Sequence, residues 1–147
     1  MSTNKSFSIE TSERYSRALF EVSNEAGELE KNEADIKKFQ SLHDNSLELK
    51  NFVENPINNI KTQNTILNLL SEKLDFSKNL KNFFLLLIKK RRIFFVKKIV
   101  DSFLRLCSKK RGEIKASLIS SKELTTFELE NINKELSLSM GSTIKFD

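Results

Sequence analysis

The sequence predicts a mainly α protein, a helical bundle carrying a small α/β appendage. Three observations lead there. With only three Gly, one Pro and no Trp in 147 residues, the composition favours helices over a turn-rich β fold. Apolar residues recur at helical spacing over most of the chain, and after Gly112 they alternate instead, as in a strand. The length fits one domain or two small ones, and 38% hydrophobic residues against 31% charged suffice for a core under a heavily charged surface.

Residues 1–10 read as a flexible tail and lack the apolar centre of a secretory signal. The first helix follows, with Ser12 as its expected N-cap. Tyr15, Ala18, Leu19, Val22, Ala26 and Leu29 form one stripe, while Glu21, Glu25 and Glu28 line another face. Phe20 stands off the stripe, either as a second apolar point or as the margin of a wide core face. A second helix is expected from Lys31 to Leu49, with Ile36, Phe39, Leu42 and Leu47 inward and His43 beside them as a packing residue. Phe52 and Val53 close a short helical turn. Asn55-Pro56 then marks the start of the next helix, whose inward side chains are Ile57, Ile60, Leu67, Leu70 and Leu74. Asp75 to Ser77 breaks it, and Ser77 is placed to cap the helix that follows.

That helix belongs to the most apolar stretch of the chain, Leu80 to Phe103, where Phe83–Ile88 and Ile93–Val96 flank Lys89, Lys90, Arg91 and Arg92. A helix apolar on all sides is either buried or crosses a membrane. Crossing needs about 20 apolar residues, and cations near the bilayer centre cost roughly 2.5–3.5 kcal/mol each, so the run is read as soluble core. Cations suit a helix C-terminus, which places the quartet in the last turn and the connection after it. A last long helix is expected from Ile93 to Lys110, with Phe95, Ile99, Phe103 and Leu106 on one side, Cys107 as a small buried residue and Gly112 as the C-terminal cap. Beyond Gly112, Ile114, Ala116 and Leu118 read as a strand. Thr125 to Glu128 fits a capping box that opens a helix with Leu129, Ile132 and Leu136 inward. Gly141 ends this helix, and Thr143–Phe146 begins a second extended piece. The expected division is a tail over 1–10, a helical bundle over 11–111 and an incomplete strand-helix-strand domain over 112–147.

Chemistry-bearing patterns are missing. There is no phosphate-cradling Gly loop, no metal-ligand spacing and no nucleophile motif. One Cys allows no intramolecular disulfide, one His allows no His-based metal site, and no cofactor is expected. An enzyme is not indicated, and the cysteine usage suits a reducing, cytoplasmic-type compartment. The net charge of +5 is unevenly spread: residues 1–50 carry ten acids and seven bases, residues 89–111 ten bases and one acid, Asp101. Such a stretch suits nucleic acid or anionic lipid, or is a solvated basic face beside an acidic neighbour.

Several segments resemble one family. Tyr15-Ser16-Arg17-Ala18-Leu19-Phe20 resembles the Y-A-x-A-L-F opening of the ATP synthase delta subunit, the oligomycin sensitivity-conferring protein of mitochondria. Phe52-Val53-Glu54-Asn55-Pro56-Ile57 is similar to the family's F-L-x-N-P-x turn. Asn82 to Ile88 with Lys90-Arg91-Arg92-Ile93 is similar to its N-F-L-x-L-L-x-x-x-R-R-L signature. Ile114 to Ser120 with Leu124 and Thr125 resembles its A-x-V-x-S-A-x-x-L-T entry into the C-terminal domain. The matches fall in family order and span nearly the whole chain. Ser16 stands where the family often has Ala, Ser120-Ser121 replaces its Ser-Ala, and the family's Gly-Gly segment does not follow within the sequence, so the C-terminal domain is expected to be partial.

The resemblance implies a six-helix N-terminal bundle, a smaller α/β C-terminal domain and a non-catalytic place in the peripheral stalk of a proton-translocating F-type ATP synthase. It implies two partners, the N-terminal helix of an alpha subunit and the b subunits, no nucleic acid, and a peripheral position on the cytoplasmic side of a bacterial inner membrane. The alpha helix is expected in a groove between the first and fifth helices, touching Tyr15, Ala18, Leu19, Val22, Phe83, Leu86 and Leu87. Both helices carry more apolar surface than one core contact requires, as helix-in-groove docking demands. The alternative from a different class is a basic helical nucleic-acid-binding protein using Lys89–Arg92, Lys97, Lys98 and Lys109–Arg111.

Overall fold

The computed structural model describes residues 2–116 and 120–146, with side chains at 7–113 and 120–144. Six helices come first: α1 (Ser2–Glu25), α2 (Leu29–Asn45), α3 (Leu47–Glu54), α4 (Ile60–Lys73), α5 (Lys78–Lys89) and α6 (Val96–Lys110), with a 3-10 turn at Ile93–Phe95 between the last two. Strand β1 (Ile114–Ala116), helix α7 (Thr126–Met140) and strand β2 (Ile144–Phe146) complete the order. The chain divides into two compact units, Met1–Leu106 and Cys107–Asp147. The division falls inside α6, before the expected boundary at Gly112. The mainly α architecture, a bundle followed by a strand-helix-strand piece, is the one the sequence predicts.

In the first unit α5 is the buried pillar. Leu80, Phe84, Leu87 and Ile88 are all at or below 2% exposure, so the run without a polar side is covered on most sides. Phe84 packs between Phe39 of α2, ring centroids 4.9 Å apart, and Phe76, 5.8 Å away. Ile36, Ile99 and Phe103 complete the floor of this core at 0% exposure. Ser77 caps α5, its side chain accepting from the Leu80 N–H. At the other end Arg91 takes the left-handed conformation (φ 57°), so that the Arg92 N–H reaches the Leu87 carbonyl at 2.7 Å and closes the helix. The cationic quartet lies there, at the last turn of α5 and in the connection.

Four local expectations fail, each for a physical reason. Residues 2–10 are helical, not a tail, and Ser12 is a buried mid-helix residue whose hydroxyl donates to the Ser8 carbonyl at 2.7 Å. The second helix is two helices, because Ser46 turns extended and its side chain accepts from the Leu49 N–H. Leu42 and Leu47 flank this break and face outward, 38% and 71% exposed. Pro56 sits in a turn that the Asn55 side chain stabilises by accepting from the Ile57 N–H. Asn59 is the cap of α4, and Ile57 is 87% exposed. His43 is not beside the core but in it, 2% exposed, with Nδ1 against Asp44 at 3.2 Å.

In the second unit β1 and β2 pair in parallel, Ile114 with Ile144 and Ala116 with Phe146. Helix α7 links them under a complete Thr125/Glu128 capping box and ends at Gly141 in the left-handed region (φ 64°). Of the rest of the strand expected to Ser120, residues 117–119 lie outside the described residues, and Ser120 itself is not in a strand.

Candidate docking surface

Two helices of the first unit leave apolar side chains uncovered where they meet. Along α1, Ala18 and Val22 lie one turn apart and both are exposed, Val22 at 48%. On α5, Leu86 is 43% exposed. Tyr15 and Phe83, both half-buried, meet edge to face with ring centroids 6.3 Å apart; the helices run antiparallel, as the Arg92–Phe7 and Asn79–Glu28 contacts show, so this contact joins them between Val22 and Leu86. Of the seven expected groove residues, then, Tyr15, Ala18, Val22, Phe83 and Leu86 reach the surface. Leu19 and Leu87 do not: at 2% and 0% exposure they are core. Each points inward, where the rest of the bundle already covers it. Phe20 also turns away, meeting Phe103 of α6 edge-on at 6.4 Å, so it is the margin of a wide core stripe.

The rim of the strip is charged with both signs. Glu10, Glu13, Arg14, Arg17, Ala18 and Glu21 line a shallow depression on α1, and Glu10 pairs with Arg14 at 3.3 Å. Mixed charge at the edge and apolar side chains at the centre suit an amphipathic helix better than an anion or a small molecule.

Polar links, most of them buried, hold the frame behind the strip. On α1, Ser16 is fully buried, its hydroxyl bonded to the Glu13 carbonyl and to the Ser102 hydroxyl of α6, each at 2.9 Å, which accounts for a hydroxyl where the resembling family often has Ala. Further along α1, the Ser23 hydroxyl donates to the Leu19 carbonyl and accepts from Asn32 Nδ2 of α2, at 2.7 and 2.8 Å. Asn32 Oδ1 in turn accepts from the Ser77 hydroxyl, the cap of α5. Asp35, 1% exposed, accepts from the Ser77 N–H at 3.3 Å and from Lys31 and Lys38. The Lys31 ammonium is held above its ordinary pKa, foremost by that bond to Asp35. Sequence reasoning found the Ser77 cap but missed Ser23 and Asn32. A polar residue in a helix carries no periodic signal of its burial.

Part of the basic stretch is engaged within the fold. Lys97 bridges Asp44 and Asp101 at 3.1 and 3.7 Å, Lys98 bonds Ser8, Arg92 lies over the Phe7 ring, and Arg111 pairs with Glu113. Among the described residues no group of His, Cys, Asp or Glu could hold a metal ion, and no helix is long and apolar enough to cross a membrane.

The first unit is, as a class, a helical bundle that leaves Ala18, Val22 and Leu86 exposed. Comparison with known proteins makes this specific. Residues 11–147 match the family model described as ATP synthase delta (OSCP) subunit. A relative named ATP synthase subunit delta from Pelagibacter ubique is 41% identical over 147 residues, covering all of this chain and 80% of the relative. Another from Rhodospirillum rubrum is 29% identical, covering all of this chain and 79% of the relative. A chain in the cryo-EM structure of the Toxoplasma gondii mitochondrial ATP synthase hexamer shares the fold, with TM-score 0.78 at 19% identity over 92% of this chain and 76% of its own. The protein belongs to the ATP synthase delta (OSCP) subunit family, whose members are structural subunits of a membrane-bound complex rather than enzymes.

Proposed function

We propose that this chain is the peripheral-stalk adaptor of a bacterial F-type ATP synthase. It docks the N-terminal helix of an alpha subunit on the α1/α5 strip and reaches the b subunits through its second unit, on the cytoplasmic side of the inner membrane. So placed, it keeps the catalytic head from turning with the rotor. The observation that carries the reading is the strip itself: Val22 and Leu86, about half exposed, lie along α1 and α5 to either side of the Tyr15–Phe83 contact in a family member. Fully burying a Val or Leu side chain yields about 1.5–3 kcal/mol, so covering what is still exposed here yields roughly 1 kcal/mol for each. Several such anchors acting together favour slow release, which a part under torque requires.

The test is a calorimetric titration of the folded chain with a peptide of the alpha-subunit N-terminus. Ala18→Asp or Leu86→Asp, introduced into a protein with unchanged helical circular dichroism, is expected to abolish measurable binding. Wild-type affinity in both variants would remove the strip as the docking site.

A further inference from the structure

The strip has two walls, and their spacing is set by groups that no docked helix would touch. The Leu80 N–H of α5 donates to the Ser77 hydroxyl, which donates to Asn32 Oδ1; Asn32 Nδ2 donates to the Ser23 hydroxyl, which donates to the Leu19 carbonyl of α1. Every bond runs in one direction, so the chain of donors leads from the backbone of α5 to the backbone of α1 through a single side chain of α2. Ser23 and Asn32 are at 0% exposure and Ser77 at 6%. Ser23 follows Val22 directly, and Ser77 opens the helix that presents Phe83 and Leu86.

We infer that Asn32 is a positioning residue for the α1/α5 strip: its amide holds the two walls at the separation and register that a docked helix meets. The inference rests on the docking role proposed above. An apolar residue would fill the same space, but would leave the two walls free to slide. A buried amide bonded at both ends admits one arrangement, because any other leaves polar atoms unpaired away from water. Ser16 and Ser102 fix the other flank of α1 to α6 in the same way, so α1 is held from two sides. A prearranged strip loses less freedom on binding, and with anchors that are each only half exposed the loss avoided decides the affinity.

Asn32→Leu keeps the volume and removes both bonds. Its peptide affinity is expected to fall about tenfold in a chain that still folds, and Ser23→Ala, which cuts only the α1 arm, by about threefold. Leu67→Ala, a core change in α4 outside the relay, controls for lost stability and is expected to bind like wild type. The readout that a merely structural role would not move is the α1–α5 distance in the unliganded protein, measured between spin labels at the exposed positions Glu21 and Asn82. It is expected to broaden in Asn32→Leu and Ser23→Ala but not in Leu67→Ala. Leu86→Asp separates the two ideas. If it abolishes binding while both relay variants bind and hold their distance like wild type, only the positioning role fails. If it binds like wild type, the strip reading fails and the positioning role falls with it. Equal weakening by Leu67→Ala would also overturn the inference, and Ser23→Ala decides it should Asn32→Leu not fold.

Discussion

The two units solve the same problem by different means. In the first, order comes from distance: Phe39 of α2 is brought against Phe76 and Phe84, which lie just before and within α5, and Phe84 is 1% exposed. In the second, β1 and β2 pair across thirty residues, but the order of α7 is local. Helix α7 has no buried residue, and Phe127, Leu138 and Met140 are 70%, 77% and 54% exposed, yet its capping box is complete and Gly141 terminates it cleanly. Caps and turns can define an element whose apolar face, here Leu129, Ile132 and Leu136, is only half-buried; they act within a few residues and need no core. Packing defines where an element lies.

The largest expected effect breaks this contrast at its strongest point. Phe84→Ala should cost about 3–5 kcal/mol, the range for emptying a buried aromatic site, whereas Phe127→Ala should stay within about 0.5 kcal/mol. Urea unfolding followed by far-ultraviolet circular dichroism measures both, and comparable losses would erase the distinction. Next in size, Thr125→Ala removes a side chain that caps the Glu128 N–H and should cost the second unit about 1 kcal/mol, read as faster amide exchange confined to the first turn of α7.

The Ser16–Ser102 bond offers a finer test of the first unit. Each single change to Ala should cost about 1 kcal/mol, and the double variant less than the sum, with a coupling of at least about 0.5 kcal/mol from a double-mutant cycle. Additive losses would mean that the bond does not join α1 to α6. The smallest effects are those of pH. The Asp44 carboxyl is held below its ordinary value by the bond from His43, then by Lys97; the Glu128 carboxyl is held low by the Thr125 N–H, then by its hydroxyl and Lys122. In both cases the folded pKa is the lower one. The contribution is therefore complete above the unfolded value, about 4, and is lost as pH falls through the folded value. Both groups are substantially exposed, so the effects are small. Asp44→Asn should flatten the acid limb of the stability curve of the first unit only, and Glu128→Gln that of α7 only.

The same contrast explains what was legible in the sequence. The Ser77 cap, the Thr125 capping box and the Gly141 terminator are local chemistry and stand where the residues put them. Ser46 was missed because neither Gly nor Pro marks the break, and Pro56 misled because a turn residue resembles a first-turn residue. Residues 2–10 look polar enough for a tail, yet Ser8 and Ser12 are small residues buried along α1. Along α1 and α5, spacing marked the apolar positions but could not tell the exposed Val22 and Leu86 from the buried Leu19 and Leu87. That choice depends on which side of each helix the other helices cover first, and burial of that kind is non-local. Asn32 was invisible for the same reason.

The most direct test follows the methyl resonances of Val22 and Leu86 by nuclear magnetic resonance while the alpha-subunit peptide is added. These methyls are expected to shift saturably and together, while Leu67 in the core stays still. A peptide that binds and leaves both methyls unmoved would contradict it.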